Sequence, residues 1–331
     1  MKSEQLHARI TALLDGHAIT HAEALDLARL APADLPFLLA EASRVRPQYW
    51  GSAVTLCGIV NAKSGLCPED CAFCAQSAHH ATGVATYPLL DEETLLQGAR
   101  ATADEGCGCY GIVTSGSGIV PGEELERVCA AIARISAEGR IAPGASLGML
   151  VPETAQRLKE AGLVTYHHNL ETARSFFPQI CSTHNYEDDV ATVRLAKQAG
   201  FRVCSGGLFG LGETMDQRVE LALTLRELAV DSVPINFLDP VAGTPLAGSN
   251  QLTPLACLHT IALYRLLLPR THLTICGGRQ ANLRELQSWV FLAGATGVMT
   301  GNYLTKEGRQ PETDRRLLDD LGLTLSKEFV R

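Results

Sequence analysis

Residues 53–74, AVTLCGIVNAKSGLCPEDCAFC, join a run of apolar residues to three closely spaced cysteines. The apolar run, rich in β-branched residues, is typical of a buried strand. Cys67, Cys71 and Cys74 follow it in one loop, at spacings of four and three residues, so their thiols could bind a single metal centre. A structural zinc site usually has four protein ligands. The spacing also suits an iron–sulfur cluster, and three cysteines would leave one iron open to another ligand.

The first strand begins a repeated alternation of strand and helix patterns. Eight strand-like runs occupy residues 53–61, 109–115, 144–150, 163–169, 201–210, 232–238, 272–278 and 296–301. Helical patterns lie between them, and this order predicts right-handed crossovers and a parallel sheet. Eight such units predict an α/β fold of the closed (β/α)8 TIM-barrel type, and an open doubly wound sheet is the alternative.

An N-terminal helical extension is predicted at residues 1–50, before the barrel domain at residues 51–331. Helical periodicity appears in residues 19–31 and 34–46, with Thr20 and Asp34 as candidate N-caps. In barrels of this type the chemistry lies on loops at the C-terminal ends of the strands. The cysteine loop follows the first strand, so it is expected on that face.

Composition excludes several classes of partner. The net charge is −8 and no run is rich in lysine or arginine, so no nucleic-acid partner is expected. The apolar stretches are too short to span a bilayer, and the polar N-terminus does not resemble a signal peptide. We therefore expect a cytoplasmic protein with no membrane partner. An odd number of cysteines, eleven, argues against a disulfide framework in such a chain.

The pattern Cys-x3-Cys-x-Phe-Cys after the first strand of a parallel barrel resembles the radical S-adenosylmethionine (SAM) enzymes. The resemblance implies that Cys67, Cys71 and Cys74 hold a 4Fe–4S cluster whose open iron binds the methionine end of SAM. It also implies that one electron cleaves SAM to a 5′-deoxyadenosyl radical, which abstracts hydrogen from unactivated carbon. Phe73 would lie near the adenine.

Five segments, the first of which contains the cysteine pattern, resemble the biotin synthases in order and approximate spacing. They are NAKSGLCPEDCAFCAQS (61–77), YHHNLET (166–172), VCSGGLFGLGET (203–214), VPINFLDPVAGTPL (233–246) and GGRQANL (277–283). The resemblance implies insertion of sulfur between C6 and C9 of dethiobiotin by a radical SAM sulfurtransferase. It also implies an electron donor such as flavodoxin or ferredoxin, and a homodimer.

The same resemblance assigns roles to single residues. Asn169 and Glu171 would hold the SAM ribose hydroxyls, although the acidic position is often aspartate in the family. Asn236, the catalytic candidate, would lie between the adenosyl group and dethiobiotin. The glycines would let the backbone approach SAM; they are Gly206, Gly207, Gly210 and Gly212. The alternatives are that Asn169 satisfies the backbone at a strand end and that the glycines serve a tight turn.

The chain departs from the familiar biotin synthases at a second cluster site. Those enzymes carry a 2Fe–2S cluster held by three cysteines and an arginine, and only Cys204 keeps its cysteine here. The other positions fall on Gly111, Gly144 and Thr274. Arg279, five residues beyond Thr274, is predicted to point the other way and to face SAM or support the site.

Other cysteines lie close in sequence to the positions at which the family's cluster ligands are missing. Alternation along a strand places residues two apart on the same face. It predicts an auxiliary iron–sulfur cluster, 2Fe–2S or of higher nuclearity, whose ligands come from Cys57, Cys107, Cys109, Cys204 and Cys276. The alternative is that these cysteines are packing residues. Cys181 is a weaker candidate, and Cys129 and Cys257 are interpreted as core residues of helices.

Other functions remain open from the sequence. Related radical SAM enzymes of the hydrogenase-maturation or methylornithine-synthase type share the barrel and the cysteine pattern. A non-catalytic electron carrier would normally close its cluster with four protein ligands. Lipoyl synthase has an additional N-terminal cysteine motif, whereas the first cysteine here is Cys57.

Overall fold

Parallel strands close into a barrel in the computed structural model, which describes residues 3–327. The barrel strands are β1 (Ala53–Lys63), β2 (Cys109–Thr114), β3 (Ala142–Ser146), β4 (Thr165–His167), β5 (Arg202–Cys204), β6 (Gly207–Phe209), β7 (Ser232–Phe237), β8 (His272–Ile275) and β9 (Gly297–Met299). β5 and β6 together fill one position between β4 and β7, so the ring has eight positions. Pairing of β9 with β1 closes it, which excludes the open sheet.

Helices follow every barrel position. Within residues 3–327 they are α1 (Ser3–Leu14), α2 (His21–Ala28), α3 (Leu35–Trp50), α4 (Glu92–Asp104), α5 (Glu123–Glu138), α6 (Pro152–Glu160), α7 (Tyr186–Gln198), α8 (Met215–Glu227), α9 (Pro254–Leu267), α10 (Arg279–Leu283), α11 (Trp289–Leu292) and α12 (Pro311–Asp320). α4 to α12 alternate with the strands, which confirms the predicted (β/α)8 barrel. None of the helices in this range combines the length and hydropathy needed to cross a bilayer.

The three helices that precede the barrel pack on its outer layer. α2 lies against α8, and α3 lies against α9. The predicted cap at Thr20 is confirmed, because Thr20 and Glu23 form a reciprocal capping box. Asp34 is the N-cap residue of α3, as predicted, but its side chain makes no capping hydrogen bond. A short 3₁₀ turn over Pro32–Asp34 leads into the helix instead.

All eight predicted strands are present, with local differences. The predicted third run, 144–150, begins and ends too late, because the chain turns at Gly148 (φ +82°) after β3. The fifth run is interrupted at Ser205 and Gly206, where a Cβ on Gly206 would lie 2.1 Å from the carbonyl oxygen of Pro234. A short strand that was not predicted, β10 (Thr324–Ser326), pairs in parallel with the first residues of β1.

A buried arginine joins the segments at the N-terminal end of the last strands. Arg265 on α9 is fully buried. Its guanidinium donates to the carbonyl oxygens of Leu268, Pro269 and Thr271 at 2.9–3.0 Å, and to that of Gly294 at 2.8 Å. These bonds tie the loop before β8 to the turn before β9.

We predict that Arg265→Met lowers the free energy of unfolding by about 3 kcal/mol or more, because several buried carbonyls lose their donor at once. Chemical denaturation of the cluster-free chain measures the change. Arg140→Met, which removes a surface ion pair with Asp104, serves as the matched control and should change it by less than about 1 kcal/mol. Equal effects of the two substitutions would contradict this account.

Candidate active site

One cavity of about 430 Å³ extends from the cysteine loop into the barrel lumen. Phe73 and Cys74 line its outer end, and inward-facing residues of the barrel strands line the rest. Most of the predicted site residues meet in this cavity. They are Phe73, Cys74, Asn169, Glu171, Asn236, Cys57, Cys109, Cys204 and Cys276.

Backbone hydrogen bonds hold the cysteine loop in place before any ligand binds. The amide of Cys67 donates to the carbonyl of Gln76 at 2.9 Å, and that of Cys74 donates to Cys71 at 2.9 Å. The amide of Ala72 donates to Ile180 at 2.8 Å. The three cysteines are half-buried free thiols. Burial raises the pKa of Cys74 to about 11, and the neighbouring Cys67 adds to the shift.

This donor set fits a 4Fe–4S cluster. Three thiols come from one ordered loop beside a cavity, as the open coordination site of such a cluster requires. The positive metal centre would stabilise the thiolates that burial disfavours.

A polar cluster lies directly behind Cys71. The Sγ atom of Cys181 is 3.9 Å from that of Cys71 and 3.3 Å from Nδ1 of His184. His184 Nδ1 is 2.7 Å from a carboxylate oxygen of Glu69. Hydrogen bonding to Asp189 and to Glu69 raises the pKa of His184 to about 10. Cys181 therefore lies at the mouth, behind the cysteine loop.

The position of Cys181 could not be anticipated from strand parity, because the contact joins residues 110 positions apart. The sequence signal is the pair of polar motifs PEDC (68–71) and CSTH (181–184). Asp70 links them, since it accepts from the amide of Ser182 at 2.8 Å. Glu69, Cys181 and His184 also place three potential metal-donor atoms within 4.8 Å of one another.

Asn169 and Glu171 lie on the cavity wall after β4. The Asn169 side-chain amide donates to the Glu171 carboxylate at 3.3 Å, and its oxygen accepts from the amide of Gly206 at 3.1 Å. Asn169 therefore does satisfy backbone at a strand end, while also lining the cavity. Burial raises the pKa of Glu171 to about 7. Its backbone has φ +59°, which is unusual for a residue with a side chain.

The two histidines beside Asn169 differ in orientation. His167 lines the cavity, and burial lowers its pKa to about 4. His168 instead places Nε2 2.8 Å from a carboxylate oxygen of Asp189. Neither arrangement brings the two rings to one metal position.

Asn236 on β7 projects into the cavity and also joins neighbouring elements. Its Oδ1 accepts from the amide of Gly277 at 2.9 Å, and its Nδ2 donates to the carbonyl of Gly207 at 3.2 Å. The amide is therefore fixed in orientation by β6 and by the loop after β8. A fixed amide at this depth is suited to position a ligand.

The four glycines predicted to approach SAM have packing explanations and, among the described residues, are not part of the cavity wall. A Cβ on Gly206 or Gly207 would collide with the carbonyl oxygen of Pro234 or of Glu171. Gly210 (φ +98°) and Gly212 (φ +110°) form a turn whose amides are held by Glu213. The tight-turn alternative thus accounts for their conformation, and direct contact with SAM stays a prediction.

Four cysteines line the inner cavity. Cys57 and Cys109 are register partners on β1 and β2, Cys204 ends β5, and Cys276 follows β8. The Sγ atom of Cys109 lies 3.1 Å from the position that a Cβ on Gly144 would take. The vacated family positions Gly111, Gly144 and Thr274 line the same cavity.

The lumen favours neutral thiols unless a metal is bound. Burial raises the pKa of Cys109 and of Cys204 to about 12, and the neighbouring Cys57 adds to both shifts. Cys276 holds the pKa of Cys57 well above its ordinary value. Convergent thiols in one cavity fit an iron–sulfur cluster, which would neutralise their thiolates.

Cys107 does not line the cavity, so the prediction from strand alternation is wrong for this residue. It is fully buried and precedes β2, which starts at Cys109. The chain turns at Gly106 (φ +85°), so alternation along β2 does not extend back to Cys107. Cys129 on α5 and Cys257 on α9 are buried helix residues, as predicted.

Arg279 begins α10 and is almost fully buried. Its guanidinium pairs with Asp314 on α12, so within the described residues it supports the barrel end and is not part of the cavity wall. The prediction that it points away from the Thr274 face agrees with this position, whereas the prediction that it faces SAM does not.

Two sequence families match successive parts of the chain. Residues 63–225 match the Radical SAM superfamily, and residues 234–324 match the Biotin and Thiamin Synthesis associated domain. A biotin synthase of Trichlorobacter lovleyi is 73% identical over 97% of this chain and 96% of its own length. A biotin synthase of Geobacter sulfurreducens is 60% identical over 95% of each chain.

Solved structures share the fold at much lower identity. A methylornithine synthase superposes with a TM-score of 0.83 at 21% identity, covering 96% of this chain and 97% of its own. A maturase of the [FeFe]-hydrogenase superposes with a TM-score of 0.84 at 17% identity, covering 99% and 76%. These likenesses concern the barrel alone, so the maturase or methylornithine alternative is not favoured. The identities of 73% and 60% to the two biotin synthases, over nearly the full length, show that this chain belongs to the biotin synthase family of radical SAM enzymes.

Proposed function

We propose that the residues of the cavity carry out the family's reaction, the insertion of sulfur into dethiobiotin to form biotin. The observation that carries the assignment of roles is the continuous cavity between the cysteine loop and the four lumen cysteines. A small substrate in this cavity would lie between two groups of cysteines, one that includes Cys74 and one that includes Cys204. Cys67, Cys71 and Cys74 are proposed as the ligands of the 4Fe–4S cluster.

The outer half of the cavity is proposed as the SAM site. Phe73 offers an apolar ring for adenine, and the Asn169 amide and Glu171 carboxylate offer a donor and an acceptor to the ribose hydroxyls. A cluster held by these cysteines would supply the electron for cleavage of SAM, and the resulting 5′-deoxyadenosyl radical would be the species that abstracts hydrogen from dethiobiotin. Asn236 lies deeper, where its fixed amide would orient the substrate toward that radical.

The inner half is proposed to hold the auxiliary iron–sulfur cluster and to supply sulfur. Cys57, Cys109, Cys204 and Cys276 are its proposed ligands, because their side chains meet in the cavity. Cys107 is left out, since it is buried in the surrounding core. Thiolate is the ligand that iron–sulfur clusters select, and here four cysteines, of which Cys204 is the retained one, would take the place of the family's three cysteines and one arginine.

Lys306 is proposed to bind the carboxylate of dethiobiotin. Of the described residues that line the cavity, Lys306 alone has a lysine or arginine side chain. Its Nζ is 2.6 Å from a carboxylate oxygen of Asp239, which also lines the cavity. Dethiobiotin has a carboxylate at the end of an apolar side chain, and a lysine at the cavity wall would stabilise that charge.

Three broader expectations belong to this proposal. Residues 1–50 are proposed as a helical extension to the barrel domain at residues 51–331. An electron donor such as flavodoxin or ferredoxin is proposed to reduce the cluster at the mouth. A homodimer is proposed as the assembly.

Cys67→Ala and Cys74→Ala should each lower SAM cleavage to 5′-deoxyadenosine by about a hundredfold or more, because one cluster ligand is lost. These positions are preferred to Cys71, whose neighbour Cys181 could replace its thiol. Product is measured by chromatography on anaerobically reconstituted enzyme, with circular dichroism to check the fold. Cys129→Ala, a buried thiol on α5, is the control. Normal cleavage in either variant would refute the ligand assignment.

Lys306→Met should raise the KM for dethiobiotin about tenfold or more, since a charge-assisted hydrogen bond is lost, and should leave the KM for SAM unchanged. Steady-state biotin formation measures both constants. Lys63→Met removes a comparable half-exposed ion pair, with Glu124, that lies outside the cavity, and it should change neither. A rise in the KM for SAM instead would mean that Lys306 contacts SAM and not dethiobiotin, which would contradict this proposal.

A combined Cys204→Ser and Cys276→Ser variant should lose the iron of one cluster, keep SAM cleavage and lose biotin formation. Iron and sulfide analysis with Mössbauer spectroscopy measures the first, and product analysis the others. Cys107→Ala tests specificity, because the same thiol chemistry is removed outside the cavity, and it should keep both clusters. An unchanged iron content in the double variant would mean that the lumen cysteines are packing residues.

A further inference from the structure

Cys71 and Cys181 are brought together by two segments that are far apart in sequence. Their Sγ atoms lie 3.9 Å apart, although 110 positions separate them in the chain. The amide of Ala72 donates to the carbonyl of Ile180 at 2.8 Å, so the two cysteines flank a backbone hydrogen bond between their segments. This is an arrangement in which two side chains approach one another from neighbouring backbones.

Side-chain contacts reinforce the same junction. The amide of Ser182 donates to a carboxylate oxygen of Asp70 at 2.8 Å, and the amide of Asp70 donates to the hydroxyl of Thr183 at 3.2 Å. The two segments are therefore fixed relative to each other on both sides of the sulfur pair.

The remaining step to a covalent bond is short. A disulfide has sulfurs about 2.05 Å apart, so the pair must close by roughly 2 Å, which is within the reach of side-chain rotation. Cys71 is half-buried, whereas Cys181 is only 6% exposed. The sulfur pair is therefore accessible to a small oxidant from the side of Cys71.

We propose that Cys71 and Cys181 form a reversible disulfide in the cluster-free chain when a small-molecule disulfide such as oxidised glutathione is present. The thiolate of one cysteine attacks the small disulfide, whose S–S bond breaks and releases one thiol. The thiolate of the other cysteine then attacks the protein sulfur of this mixed disulfide, which releases the second thiol and forms the new S–S bond. The two protons leave with the two released thiols, so two cysteines are oxidised and one small disulfide is reduced.

The pairing would protect the empty site and control its loading. A sulfur held in a disulfide is not available for irreversible oxidation to sulfinic acid. It is also not available as a thiolate ligand, so an oxidised chain should take up the mouth cluster only after reduction. This consequence rests on the proposed role of Cys71 as a cluster ligand, whereas the pairing itself does not.

Peptide mapping of the full cluster-free chain tests the pairing. The chain is treated with a chelator to remove any metal from Cys181, incubated with oxidised glutathione, alkylated and analysed by mass spectrometry. We expect a peptide linked through Cys71 and Cys181 that disappears with dithiothreitol. In Cys181→Ala we expect Cys71 to stop at the mixed disulfide with glutathione, and in Cys129→Ala we expect the wild-type linkage.

Two mapping results would overturn the pairing. One is a linkage of Cys71 to Cys67 or Cys74, and the other is a glutathione adduct on Cys71 of the wild type with Cys181 still free. Rates of iron uptake, followed by absorbance, test the consequence separately. We expect oxidation to slow uptake at least fivefold in the wild type. A linked peptide with unimpaired uptake would support the pairing and refute the ligand role of Cys71, so the two claims can fail independently.

Discussion

The pairing of β1 with β2 on one side and with β9 on the other is the constraint on which the site depends. It closes the ring, and so it turns one face of every strand toward a common lumen. β1 itself carries Cys57 into that lumen and ends at Lys63, four residues before Cys67. One strand therefore fixes both sulfur-rich ends of the cavity.

Burial decides which protonation state of the lumen cysteines is stable. The lumen raises the pKa of its cysteines, so the empty cavity stabilises thiols and penalises thiolates. A bound iron–sulfur cluster would reverse that preference, because it would stabilise the thiolates. At the mouth the polar cluster around Asp70 and His184 supports the cysteine loop from behind. The two ends thus differ, since one is apolar and enclosed and the other is polar and accessible.

Much of this was predictable from the sequence where local patterns decide the structure. Strand periodicity predicted all eight barrel positions, and parity placed Cys109 and Cys276 in the lumen. The prediction from strand alternation is wrong for Cys107, because a turn at Gly106 precedes the strand. Alternation of side chains does not show at which residue a strand begins. The contacts of Cys181 with Cys71 and of Lys306 with the cavity were not predictable, because each joins distant segments. Close packing of neighbouring backbone explains Gly206 and Gly207, and their contact with SAM stays a prediction.

Anomalous diffraction at the iron edge, on crystals of the anaerobically reconstituted enzyme, tests the central claim most directly. The claim is that one cavity connects two iron–sulfur centres. The account predicts two separate iron peaks, one bounded by Cys67, Cys71 and Cys74 and one within the lumen among Cys57, Cys109, Cys204 and Cys276. A single peak at the mouth, with the lumen sulfurs free of metal in a catalytically competent crystal, would contradict it.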